Sequence, residues 1–181
     1  LPTIGAKGEL FRGKVTWLGS WSRNVRAPTL NDLYWQPGGN ENLNPEKDEA
    51  VELGLNYNAA IGKVKSEISV TGFFAKTQDL LVWIPTGAGY AQAANQSFVE
   101  RTGVETTIRL NREFGKTALY VNASGTFMQT NNESGESNIY IPETAFRISP
   151  GVRYGKHGVD ASYGYTGERY TDIANTSYLP A

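Results

Sequence analysis

Residues 20–57 read SWSRNVRAPTLNDLYWQPGGNENLNPEKDEAVELGLNY. Both flanks of this stretch alternate. Val15, Trp17 and Trp21 fall on one face on the way in, and Val51, Leu53, Leu55 and Tyr57 do so on the way out, with Glu52, Gly54 and Asn56 between them. Period two marks a strand with one apolar and one polar face, because successive side chains of an extended chain point to opposite sides. The middle is dense in Pro, Gly and Asn and reads as a loop. It holds about twenty residues against roughly two to five in a common hairpin, and loops that long generally carry function.

The same unit recurs outward from this stretch. Gly-Lys stands at Gly13-Lys14, Gly62-Lys63, Gly115-Lys116 and Gly155-Lys156, each time between two alternating runs, and each pair reads as a tight turn. A period of about 40–50 residues invites comparison with repeat folds. The alternating runs are Thr3–Leu10, the run from Val15, Ala50–Asn58, Lys65–Lys76 continuing through Leu80–Ile84, Val99–Leu110, Leu119–Phe127, Phe146–Tyr154 and Val159–Tyr165. Long loops follow at PTGAGYAQAANQS (85–97), NNESGESN (131–138) and TDIANTSYLPA (171–181). The expectation is an all-β, antiparallel up-and-down meander of about eight strands, with short turns at one end and long loops at the other.

Composition narrows the functional classes. The chain has 181 residues, enough for one ordinary domain. Its first residue, Leu1, reads as the start of a fragment or a processed product. A net charge of -1 gives no electrostatic case for nucleic acid. There is no cysteine, and the one histidine, His157, falls in a tight turn, so no metal site or metal cofactor is expected. No apolar run approaches the ~18 residues of a membrane helix. A mean hydropathy of -0.42 does not exclude membrane strands. Such a strand needs only ~10 residues with alternate positions apolar.

Charge and aromatic placement separate a soluble sandwich from a membrane wall. Glu52, Glu67, Arg101, Glu105, Arg109, Arg147, Arg153 and Asp160 all lie opposite the apolar residues of their strands, while Arg23, Lys76 and Glu100 share the apolar face but are expected at strand ends. Aromatics on the apolar face form two levels: Trp21, Phe74, Phe127, Phe146 and Tyr165 toward the long loops, Tyr57 and Tyr154 toward the short turns. Phe146 and Tyr154 are eight residues apart, roughly 20 Å along a membrane normal for strands tilted by ~40°, close to the ~25 Å apolar band of outer-membrane barrels. Strands in lipid must satisfy their backbones laterally, so the wall must close. The many charges on the polar face suit a lumen wider than eight strands enclose. The chain is therefore expected to be eight strands of a larger barrel.

The opening stretch also carries a resemblance. Asn24-Val25-Arg26-Ala27-Pro28-Thr29-Leu30-Asn31-Asp32-Leu33-Tyr34, Gly39-Asn40-Glu41-Asn42-Leu43-Asn44-Pro45-Glu46 and Glu52-Leu53-Gly54 resemble the signature of TonB-dependent outer-membrane receptors, with Val25 in place of the usual aromatic. Gly103-Val104-Glu105 is similar to a second family element, and Arg169-Tyr170-Thr171-Asp172 with Asn175-Thr176 and Leu179-Pro180 to the loop before the last strands. The resemblance implies a barrel of about 22 strands in the bacterial outer membrane, plugged by an N-terminal domain. It implies energy from the TonB complex acting on a segment ahead of that plug. On this reading residues 1–181 are a partial barrel domain from the second half of the wall, without plug or terminal strands. The pattern is most similar to the cobalamin and ferric-siderophore branches, which implies active transport of a scarce metal chelate or cofactor.

The candidate ligand contacts are Tyr34, Trp35, Gln36 and Asn40 in the first long loop and Tyr90 and Gln92 in the second. The plainer alternative is that these loops pack on themselves. Glu52, Glu67, Arg101, Glu105, Arg109, Arg147 and Arg153 are expected to face the lumen. There the arginines either meet the plug or an anionic chelate, or pair with Glu67 and Glu105. Expected partners are thus the TonB complex, the protein's own plug, outer-membrane lipid and the ligand. No nucleophile and base stand together, and Glu133 and Glu136 lack a catalytic partner, so no enzyme is expected. The competing readings are a passive porin or adhesin barrel and a soluble β-propeller.

Overall fold

The computed structural model describes residues 1–132, 137, 139–172 and 175–181. Seven strands follow one another as hydrogen-bonded antiparallel neighbours: β1 (Thr3–Leu10), β2 (Val15–Arg26), β3 (Glu46–Ile61), β4 (Val64–Pro85), β5 (Ala91–Phe114), β6 (Thr117–Asn132) and β7 (Thr144–Tyr154). The expected eighth strand is split into β8 (His157–Asp160) and β9 (Tyr163–Thr166), both paired with β7. A small separate hairpin of β10 (Arg169–Tyr170) and β11 (Tyr178–Leu179) lies in the fourth loop. One short helix, α1 (Leu30–Tyr34), lies in the first. The expected meander is present as one continuous sheet, not as the four-stranded blades of a propeller. No described helix is long and apolar enough to cross a membrane, which says nothing of crossing by strands.

The turns obey their chemistry. Gly13, Gly62, Gly115 and Gly155 have φ of 79°, 63°, 57° and 56°. Those are left-handed values that a residue without Cβ adopts at no steric cost. The Gly-Lys repeat is therefore the repeat of the hairpin bend.

The register lays the apolar residues in rows across the sheet. One row runs Trp17, Leu55, Val70, Thr106, Gly125, Phe146 and Tyr165, and another runs Ile4, Trp21, Val51, Phe74 and Thr102. The next row toward the long loops is charged: Arg23, Glu49, Lys76 and Glu100. These charges were expected at strand ends. They stand instead inside β2–β5, which run on past the apolar band. The apolar run ends at Trp21, Val51 and Phe74 on β2–β4, one row lower at Val104 and Phe127, and lower again at Phe146 and Tyr165. A boundary that steps down in stages across the sheet is what a flat membrane edge traces across tilted strands.

The apolar face is bare. Leu53 is 60% exposed and Val70 39% exposed, so no second layer covers it. A compact monomer of 19.8 kDa exposes about 8,600 Å², whereas this chain exposes 11965 Å². On the opposite face, Glu52 stands against Ser20, Glu67 against Arg109, Arg101 against Ala75, Glu105 against Thr71, Arg147 against Ser124 and Arg153 against Ala118.

Apart from Ser66 near the short turns, the buried side chains gather at the long-loop end. Ala93 (2% exposed), Val99 (1%), Thr77 and Thr130 are there, with Leu43 from the first loop. This corrects the second loop. Residues 85–97 were expected as loop, but β4 extends to Pro85 and β5 starts at Ala91, leaving only 86–90 as the bend. Ala91–Ser97 has weak strand propensity, and its extended form is stabilised by the first loop lying against it.

Candidate functional site

The site is built where the first long loop, residues 27–45, returns over the β4–β5 hairpin. The loop begins with a capping box. Asp32 N–H donates to Thr29 Oγ1 at 3.2 Å, and Asp32 Oδ2 accepts from Thr29 N–H and Oγ1, each at 2.8 Å. A Thr-x-x-Asp spacing satisfies two otherwise unpaired donors at a helix start, and α1 follows for one turn and a little more. Asp32 also braces the hairpin, because its Oδ1 accepts from Trp83 Nε1 at 3.0 Å. The Thr29 N–H, foremost among several donors, holds the Asp32 carboxyl below the ordinary aspartate range.

After α1 the chain turns extended at Trp35. Tyr34 is 55% exposed, Trp35 58% exposed, and Gln36 also faces solvent. No ring pairing involves either aromatic among the described residues. The loop thus holds these three side chains outward and does not pack them on one another.

The rest of the loop is anchored. Gly38, at φ 120°, lies so close to β5 that an added Cβ would stand 2.1 Å from the Ala91 carbonyl oxygen. Ala93 N–H donates to the Gly38 carbonyl at 2.7 Å, and Asn40 Nδ2 donates to the Ala93 carbonyl at 3.3 Å. Asn40 Oδ1 accepts from Asn42 N–H at 3.0 Å. Asn40, a candidate ligand contact, uses its amide oxygen and one amide donor to hold the loop. Tyr90 closes the hairpin bend and is 40% exposed. Gln92 pairs with Ile84, so the register sets it on the face of β5 that carries the apolar rows, away from Ala93 and Asn95. The structure therefore gathers Tyr34, Trp35, Gln36 and Asn40 on one loop against the hairpin that bears Tyr90, and turns Gln92 to the other side.

Below the loop the polar face is partly neutralised. Arg26 pairs with Glu46 at 2.8 Å, and Glu46 also accepts from Leu81 N–H at 3.2 Å. Arg101 Nη2 reaches Asp48 at 2.9 Å and Thr77 Oγ1 at 3.1 Å, while Thr77 donates to Asp48 at 2.6 Å. Arg109 pairs with Glu67 at 3.3 Å, as one reading of these charges expected. Glu52 accepts from Ser20 Oγ at 3.4 Å. Glu105, Arg147 and Arg153 have no ion-pair partner among the described residues. Glu105 and Arg147 line a shared hollow with Ser124 and Thr126.

Trp83, Asp48 and Asn95 escaped the sequence reading. Each acts through a partner more than 50 positions away, so only the Thr-x-x-Asp spacing offered a local signal. Glu133 and Glu136 lie outside the described residues. Among the described residues no three His, Cys, Asp or Glu side chains gather closely enough to hold a metal ion.

Comparison with known proteins agrees with this architecture. Residues 11–181 match the family described as TonB dependent receptor-like, beta-barrel. The chain is 28% identical over 162 residues to a vitamin B12 transporter BtuB of Photobacterium profundum, covering 86% of this chain and 25% of that protein. It is 35% identical over 78 residues to the vitamin B12 transporter BtuB of Vibrio vulnificus, covering 42% of this chain and 12% of that protein. The fold is similar to that of the copper transporter OprC, with a TM-score of 0.79 at 17% identity over 94% of this chain and 26% of that one. The chain thus spans about a quarter of the length of the longer matches. On the strength of the family match over nearly its whole length, the chain belongs to the TonB-dependent receptor family, within the β-barrel.

Proposed function

We propose that the protein to which this chain contributes is a bacterial outer-membrane receptor that takes up a scarce organometallic cofactor or metal chelate, cobalamin foremost. Residues 1–181 are then part of its barrel wall. The apolar face lies in outer-membrane lipid, and the polar face looks into a lumen filled by the receptor's own plug domain. Energy comes from the TonB complex acting through that plug. The observation that carries the reading is the bare apolar face bounded by aromatics and then by the Arg23–Glu49–Lys76–Glu100 row. A soluble protein leaves so large an apolar surface unburied only at a cost.

Ligand capture falls to the long-loop end. Tyr34, Trp35 and Gln36 offer exposed aromatic and amide surface suited to a large, partly apolar ligand. The names of the two BtuB relatives point to cobalamin among such cargoes. Glu105, Arg147 and Arg153, without ion-pair partners among the described residues of the polar face, are positioned to meet charges on the plug.

The test is uptake of radiolabelled cyanocobalamin by cells whose only such receptor is the full-length protein. Uptake that requires TonB supports the proposal. Uptake unchanged without TonB would overturn active transport, and no uptake at all would overturn cobalamin as the cargo.

A further inference from the structure

We infer that Asn95 is the positioning residue that clamps the first loop to the β4–β5 hairpin, so that the Tyr34–Trp35–Gln36 surface is assembled before any ligand arrives and moves with the hairpin as one body. The inference rests on the reading of that surface as the ligand platform, and it names the side chain that fixes its place.

Asn95 uses its amide as a backbone peptide would be used. Its Oδ1 accepts from Asn44 N–H at 2.8 Å, and its Nδ2 donates to the Asn44 carbonyl at 3.1 Å. Those two bonds reproduce the exchange between a hydrogen-bonded pair of antiparallel strands. The second Nδ2 hydrogen goes to the Asp79 carbonyl at 2.7 Å. Both amide donors are engaged, which a carboxylate or an aliphatic side chain cannot imitate.

The hairpin is bent to offer that third bond. Pairing between β4 and β5 runs through Gln78–Phe98 and resumes at Leu80–Gln96, skipping Asp79 without a change of register. Asp79 sits at φ 53°, a conformation unfavourable for a residue with a side chain. It leaves the ladder there, and its carbonyl meets Asn95 while its Oδ1 accepts from Asn44 Nδ2 at 3.3 Å. Asn44, Asp79 and Asn95 thus form a closed triangle of hydrogen bonds. Two positions along, Ala93 gives both its backbone groups to the same loop, at Gly38 and Asn40. Among the described residues the pairing from β6 reaches Val99, and the loop supplies partners to Ala93 and Asn95 beyond it.

The experiment uses the full-length receptor in lipid nanodiscs, spin-labelled at Glu41→Cys in the loop and Ala88→Cys at the hairpin bend. Without ligand, the distance distribution between labels is expected to be narrow. Asn95→Leu is expected to broaden it at least twofold, and Asn95→Asp, which keeps the acceptor and loses both donors, to fall between. Cyanocobalamin affinity should drop about tenfold in Asn95→Leu, with thermal unfolding of the barrel unchanged. A broad ligand-free distribution in the parent protein, or an unchanged width in Asn95→Leu, overturns the inference. If the parent protein fails to bind cyanocobalamin, the cargo proposal falls while the distances still decide the clamp.

Discussion

At the residue scale, the site depends on short side chains that imitate backbone. Asp32 closes the start of α1 and braces Trp83, Asn40 ties the loop to Ala93, and Asn95 completes the clamp. The Asp32 carboxyl is held below its ordinary range chiefly by the Thr29 N–H. A lowered folded-state value means the ionised form is the one the structure favours. Its contribution is present above the unfolded value and is lost as pH falls through the folded one, in a window below about pH 4. Trp83 emission in the full-length receptor should therefore change on acidification through that window, and Asp32→Asn should abolish the change. A Trp83 signal that ignores both acid and the substitution would show that the bond to Asp32 does not form. Thr29-x-x-Asp32 has the spacing of a capping box, a local signal that went unread in the sequence. The sequence carried no sign of Trp83 as the other partner, because the two are 51 positions apart.

At the element scale, alternation was legible wherever one face is apolar and the other polar, as in Val51–Tyr57 or Lys65–Phe74. It failed at Ala91–Ser97, where small and amide residues carry no period and the strand owes its form to the loop lying on it. It also missed the break between β8 and β9, whose cause is chemical. The unbroken register sets Pro150 opposite Ala161, and Ala161 N–H donates to the Pro150 carbonyl at 3.0 Å. Proline has no N–H to return the bond. The Ser149 and Ser162 hydroxyls meet beside this gap at 3.0 Å. Hydrogen exchange across residues 157–166 should thus outpace that across 117–127, and Pro150→Val should narrow the difference. Equal protection of the two segments would contradict this. Depth along the wall sets a second expectation. Val70→Arg, in the apolar band, should destabilise the receptor by about 2–4 kcal/mol in unfolding from lipid, and Gln78→Arg, beyond the charged row, by no more than about 1 kcal/mol. Equal costs at the two positions would mean that the band does not lie in hydrocarbon.

At the scale of the whole molecule, the wall explains why a chain of mean hydropathy -0.42 can sit in a membrane. Alternate side chains of each strand form an apolar face and a polar one, so the average conceals the division. The eight-strand meander, the turn chemistry and the division of charge between the faces were readable because each follows from a local pattern. The joining of loop to hairpin was not, because it depends on pairs that lie far apart in the sequence. Everything functional here depends on lipid covering the apolar face, and spin-label accessibility along β4 tests that most directly. The chain has no cysteine, so single labels can be placed in it without background. In the full-length receptor in a bilayer, labels at Ile68, Val70 and Phe74 should be accessible to oxygen and shielded from a polar nickel chelate, and labels at Glu67, Ser69 and Thr71 the reverse. A period of two with that phase is the predicted result; oxygen access that is uniform along the strand, or strongest at the odd-numbered positions, would contradict the account.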